Sequence, residues 1–170
     1  MIKVYTSELI RSNNTDRHRE SIELLTFAVT QNFGVCAPLI FGFGKYDKPY
    51  ILGRPDIHFN ISYTGNRVFC AVSDHAVGID AEMAAEAPLE IAPLYFTRDE
   101  NEYLHTGDTV QIFYELWTKK ESYMKYKGTG FSMSPLSFSS IKVSDALFYY
   151  TVWEGVALSI CTEKSLDDVL

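Results

Sequence analysis

The feature that most constrains this chain is a run of three short segments separated by turn signals. His58–Tyr63 alternates between side-chain classes, Arg67–Ser73 reads as a second strand, and Ala76–Glu82 as a third. Thr64-Gly65-Asn66 and Asp74-His75 are the breaks between them. Period-two segments joined by turn residues predict antiparallel strands, which must find an apolar partner layer.

Upstream, residues 2–5 read as a short strand. Ile22, Leu25, Val29 and Phe33 recur at helical spacing over Asp16–Phe33, and Gly34 is a natural stop. Residues 35–56 read as loop, with one short strand around Leu39–Phe43. Downstream, 83–92 is a weakly patterned connection. Thr97 and Glu100 form a capping box, and Asp108 with Gln111 a second, opening a long helix that runs to about Lys127 and stops at Gly128. Ser137–Val143, Ala146–Trp153 and Val156–Thr162 read as strands, with a turn at Glu154-Gly155; the final SLDDVL is expected to fray. A long helix followed by a loop and three short strands thus occurs twice. The expected fold is α+β, with two pseudo-symmetric lobes, residues 1–82 and 83–170, each a long helix on a small antiparallel sheet. The second lobe carries the helix 108–127, and a ligand cleft is expected between the lobes.

Composition narrows the function. A net charge of −7 argues against a nucleic-acid partner, which needs a basic face. The basic residues cluster at Arg11, Arg17 and Arg19 and at Lys119, Lys120, Lys125 and Lys127, as two solvated helix faces or as a local anion pocket. Cys36, Cys70 and Cys161 sit singly in apolar runs and read as core residues in a reducing compartment. The first residues lack an apolar signal core and no apolar run spans a membrane, so a cytoplasmic protein is expected.

Three constellations carry chemistry. In Gly78-Ile79-Asp80-Ala81-Glu82, Asp80 and Glu82 share one strand face and Ile79 and Ala81 the other. Paired carboxylates repel unless a cation, a proton or water screens them, and oxygen-only ligands suit Mg2+; an exposed strand end with two solvated acids has the same pattern. On the long helix, Trp117, Glu121 and Lys125 are four apart and share a face. Glu121 and Lys125 are either a surface salt bridge or an acid and a base at the edge of buried surface. In Phe59-Asn60-Ile61-Ser62-Tyr63-Thr64-Gly65, a hydroxyl beside a glycine turn can bind phosphate, or simply close a hairpin.

Together these segments resemble the 4'-phosphopantetheinyl transferases, in particular the surfactin-type (Sfp-type) branch. The family pattern is Lys-Pro, FN(I/L)SHSG, GID(x)E and W(x)xKE(S/A)xxKxxGxG. This chain has Lys48-Pro49, FNISYTG at 59–65, GIDAE at 78–82 and WTKKESYMKYKGTG at 117–130, in the same order. The resemblance implies a transferase that moves the 4'-phosphopantetheine arm of coenzyme A onto a serine of an apo acyl or peptidyl carrier protein, acting as a monomer. It implies that Asp80, Glu82 and Glu121 hold Mg2+, that Glu121 and Lys125 are catalytic, and that Arg19, Lys48, Pro49, Ser62, Tyr63 and Lys125 contact coenzyme A, the first lobe being the nucleotide side. Leu94, Tyr95 and Phe96 form an apolar cluster expected to receive the carrier.

Two departures concern the 3'-phosphate contacts. Tyr63 replaces the family's histidine, and the chain is short at its N-terminus against longer members, so that Arg11 or Arg17 would compensate. Two other classes share the motifs: a carrier-protein adaptor that binds without transfer, and a Mg2+-dependent nucleotide hydrolase.

Overall fold

The computed structural model describes residues 1–9, 14–36 and 38–165. Arg11, and residues 166–170 of the terminal run expected to fray, lie outside the described residues. The order of elements is β1 (Ile2–Glu8), α1 (Asn14–Phe33), β2 (Phe41–Phe43), β3 (Pro49–Ile51), β4 (His58–Thr64), β5 (Arg67–Ser73), β6 (Val77–Met83), α2 (Ala92–Tyr95), α3 (Arg98–Leu104), α4 (Thr109–Lys127), β7 (Leu147–Trp153) and β8 (Val156–Thr162). The fold is α+β. Two antiparallel sheets have the orders β1-β5-β4 and β6-β8-β7, with β2-β3 a small hairpin. Both larger sheets place the last strand of their hairpin in the centre, so strand, helix and hairpin recur with the same connection.

The layers follow from where apolar side chains go. Leu25, Ala28 and Val29 of α1 pack on Phe59, Cys70 and Val72. On the other face of that sheet, Ile2, Phe69 and Ala71 meet Val77, Ile79, Ala81, Val156 and Leu158. β5 is therefore covered on both sides, which is why it reads as an apolar run instead of an alternation. Each such aliphatic side chain contributes about 1.5–3 kcal/mol by leaving water. No helix among the described residues is long and apolar enough to cross a membrane.

Two contacts between layers place the acidic residues. β6 is an edge strand, and its outward N–H groups need acceptors. β4 supplies them from side chains: Ile79 N donates to Asn60 Oδ1 at 2.9 Å, Ala81 N to Ser62 Oγ at 3.2 Å, and Met83 N to Thr64 Oγ1 at 2.6 Å. The outer face of β6 carries α4, and Gly78 sets their distance. A Cβ there would lie 2.0 Å from Ser122 O and 2.4 Å from Tyr126 N. Ser122 Oγ and Ser159 Oγ hydrogen-bond at 3.1 Å in the same seam.

Several expectations are corrected. The strand ending in Glu82, read as the close of the first lobe, pairs with β8 in the second sheet. Residues 35–56 hold two short strands, and 83–92 a 3-10 turn at Leu89–Ile91 that leads into α2. Cys70 and Cys161 are buried, but Cys36 is exposed. Ser137–Val143 is not a strand: a 3-10 turn (Pro135–Ser137) ends at its first residue, and a bend and a turn follow. The reason lies in a fully buried ion pair. Lys120 Nζ sits 2.8 Å from Glu100 Oε2 and donates to Pro135 O (2.6 Å) and Phe138 O (2.7 Å), while Glu100 Oε1 accepts from Ser140 N and Oγ at 2.6 and 2.7 Å. Those bonds hold the backbone in turns. The Thr97–Glu100 capping box is present, and Asp108 caps α4 by accepting from Val110 N and Gln111 N.

Candidate active site

Where α4 crosses β6, the face bearing Gly78, Asp80 and Glu82 meets Glu121 and Lys125. Asp80 is 4% exposed. Its Oδ1 accepts from Lys125 Nζ at 2.6 Å and from Ser62 Oγ at 3.1 Å. Lys125 Nζ also donates to Ile79 O (3.1 Å) and Ser62 Oγ (3.2 Å). Asp80 Oδ2 is buried with no hydrogen-bond partner among the described residues. Lys125 therefore pairs with Asp80, and the surface salt bridge, one of the two readings of Glu121 and Lys125, is not formed among the described residues.

Glu82 and Glu121 complete the acidic group. Burial pushes both carboxyls up from 4.5 to about 7, with the Asp80 charge adding to the rise and Lys125 opposing it. The neighbouring Trp117 indole also opposes the rise of Glu82. The Tyr95 phenol donates to Glu121 Oε1. Tyr95 stacks on Trp117 with centroids 4.1 Å apart and planes 18° from parallel. Among the described residues no three Asp, Glu, His or Cys side chains close into a ready cation cage. Mg2+ does not require one, since it keeps several waters and binds through one or two carboxylates plus substrate phosphates.

The other expected residues separate into groups. Ser62 belongs to the acidic centre. Tyr63, on the opposite face of β4, lines an apolar groove of about 710 Å3 together with His18, Ile40, Phe41, Phe43 and Pro49. Pro49 also lines a second cavity of about 420 Å3, with the ammonium-bearing Lys45 and Lys127 and the imidazole of His58 among its lining residues. Lys48 lines that cavity too, but its ammonium donates to Lys125 O at 2.6 Å and to Val77 O and Tyr126 O at 3.3 Å each. It satisfies the C-terminal carbonyls of α4, and burial lowers its pKa to about 8. Arg19 is exposed beside Asp16 (3.2 Å) and Glu23 (3.8 Å). Of the apolar cluster, Leu94 is 73% exposed, Tyr95 turns in to Glu121, and Phe96 is core at 2%.

Sequence reasoning missed three things. Tyr95 was placed with the surface, although it reaches Glu121. Arg17 was named only as a compensating cation, and its tie to the β4–β5 turn was not foreseen: Nη2 donates to Gly65 O at 3.4 Å, and the buried Nε has no partner among the described residues. The polar row Asn60, Ser62 and Thr64 opposite apolar Phe59 and Ile61 was a readable sign of a side-chain ladder.

Residues 76–164 match the family model described as the 4'-phosphopantetheinyl transferase superfamily. The chain belongs to that superfamily. It is similar to a 4'-phosphopantetheinyl transferase of Bacillus subtilis, 38% identical over 136 residues that cover 76% of this chain and 60% of the relative. It is also similar to 4'-phosphopantetheinyl transferase Sfp of Bacillus subtilis (strain 168), at 36% over 138 residues, 71% of this chain and 62% of that one. A third relative, 4'-phosphopantetheinyl transferase gsp of Aneurinibacillus migulanus, is 41% identical over 103 residues, 59% of this chain and 43% of the relative. These likenesses set the chain in the Sfp-type branch of the transferases. The chain spans about 60% of the length of the first two relatives. The family match contains Asp80, Glu82, Glu121 and Lys125.

Proposed function

We propose that this chain transfers 4'-phosphopantetheine from coenzyme A to a serine of an apo acyl or peptidyl carrier protein. The observation that carries the reading is the meeting of Asp80, Glu82, Glu121 and Lys125 at one crossing, with one buried Asp80 oxygen left unsatisfied. An unpaired buried carboxylate oxygen is costly, and a hard cation is the partner its chemistry fits. Asp80, Glu82 and Glu121 are the residues that would hold Mg2+. When bound, the ion supplies positive charge against the pyrophosphate of coenzyme A.

The remaining work falls to the chain's own groups. Glu121 Oε2, the oxygen that the Tyr95 phenol does not engage, takes the proton of the carrier serine. In the metal-free chain burial pushes this carboxyl up to about 7, the direction that suits a base. The serine oxygen then bonds to the β-phosphorus of coenzyme A. The bond from that phosphorus to its bridging oxygen breaks, and adenosine 3',5'-bisphosphate leaves with the electron pair. Lys125 Nζ, oriented by Asp80 and Ser62, steadies the charge on the departing phosphate. Pro49, shared by both cavities, and Tyr63 contact the nucleotide, with Arg17 a better-placed cation than Arg19. Leu94 is the exposed part of the carrier-docking cluster. Action as a monomer in the cytoplasm completes the proposal.

The test is mass spectrometry of an apo-carrier incubated with the chain, coenzyme A and Mg2+. The carrier is expected to gain the arm, and to stay unmodified with Asp80→Ala. Coenzyme A consumed while the carrier stays unmodified would identify a hydrolase. Binding without either change would identify an adaptor.

A further inference from the structure

We propose that Tyr95 is a positioning residue of the acidic centre, its phenol fixing the Glu121 carboxylate while its ring is locked on Trp117. The inference rests on the functional reading above and adds a residue which that reading did not assign. Tyr95 lies at the end of α2, a single turn reached through a 3-10 turn. Its ring stacks on Trp117 at 4.1 Å and meets Phe96 edge-on at 6.1 Å, and Phe96 in turn packs on Phe113 at 5.3 Å. Phe96 and Phe113 are almost wholly buried. The ring, held between Trp117 and the buried Phe96, delivers its hydroxyl to Glu121 Oε1.

Glu82 on β6 lies close enough to Glu121 for its charge to act there. Fixing the Glu121 rotamer on α4 keeps one side of the acidic centre constant, which a hydrated cation and a diphosphate need.

The experiment removes one oxygen. Tyr95→Phe keeps the stack and loses the hydroxyl. Mn2+ binding to the protein without coenzyme A or carrier is read by electron paramagnetic resonance. About a tenfold weakening is expected, the usual cost of losing a hydrogen bond to a metal ligand. In turnover, kcat should fall and the KM for carrier stay level. A Mn2+ affinity equal to or above that of the unaltered protein overturns the proposal. A cycle without metal reads the contact itself: the Tm losses of Tyr95→Phe and Glu121→Ala should not add, because the two groups share one bond. Additive losses overturn the proposal as well. If the unaltered protein binds no Mn2+ while the cycle shows coupling, the metal reading fails and the phenol–Glu121 contact stands. A surface role for Tyr95 would instead raise the KM for carrier and leave Mn2+ binding unchanged.

Discussion

Asp80 has one oxygen shared by Lys125 and Ser62 and one buried without a partner among the described residues. Repulsion among three acids argues that removing Asp80 relieves the apo protein. The ion pair argues the opposite, and it wins. Asp80→Ala leaves the Lys125 ammonium, whose side chain is 28% exposed, facing only Ser62 Oγ and the Ile79 carbonyl. Breaking a buried pair costs about 3–5 kcal/mol, and the partial exposure of Lys125 reduces this to about 1–3 kcal/mol. Urea denaturation should show that loss, and the Asp80→Ala/Lys125→Met double variant should recover part of it. An Asp80→Ala protein as stable as its parent would mean that repulsion dominates. Residue identities at this site were legible in the sequence, because strand parity alone puts Asp80 and Glu82 on one face. Partners were not. Helix spacing offered Lys125 to Glu121, and only the approach of β6 brings Asp80 closer.

At the scale of elements, the site depends on how closely α4 lies on β6. Gly78 permits that distance, and Gly78→Ala places a methyl against two backbone atoms of the helix, neither of which can rotate away. Overpacking typically costs about 1–3 kcal/mol, and contact with backbone belongs at or above the top of that range. The helix must lift or slide, carrying Glu121 and Lys125 with it. Gly78→Ala should therefore lose activity more completely than its urea midpoint suggests, and Ala81→Gly on the opposite face should lose stability but keep turnover. Equal activity in Gly78→Ala would show that the crossing tolerates a wider gap. The strands and both long helices were readable from period and caps. Ser137–Val143 was not, since its alternation suits a strand equally well. What bends it is the buried Lys120–Glu100 pair, which draws Pro135, Phe138 and Ser140 toward it. The sheet to which β6 belongs was equally hidden, because its neighbour β8 lies at the far end of the chain.

At the scale of the whole molecule, the acidic centre should govern how stability varies with pH. Glu82 and Glu121 are pushed up from 4.5 to about 7, chiefly by burial. Between those values the folded chain holds protons that the unfolded chain releases, so stability is lost as the pH rises through that window. Other groups act elsewhere or oppose. Asp99 and Asp145 are held below the ordinary carboxylate value chiefly by their hydrogen-bond partners, and Asp74, which burial would raise, by hydrogen bonds with the N-terminal ammonium and His75; their contribution is complete by about pH 5. Lys48, lowered to about 8, acts only above the window. His58 is lowered by burial and contributes with the opposite sign as the pH rises toward 6.5, but it is one group against two. The metal-free protein should therefore have a higher Tm at pH 5 than at pH 7.5, and a Glu82→Gln/Glu121→Gln variant should flatten that difference. On the proposed Mg2+ site the ion would compete with the same protons, so added Mg2+ should raise the Tm clearly at pH 7.5 and hardly at all at pH 5. Scanning calorimetry at the two pH values, with and without Mg2+, decides the matter. An equal Mg2+ effect at both would mean that the ion binds somewhere other than these carboxylates.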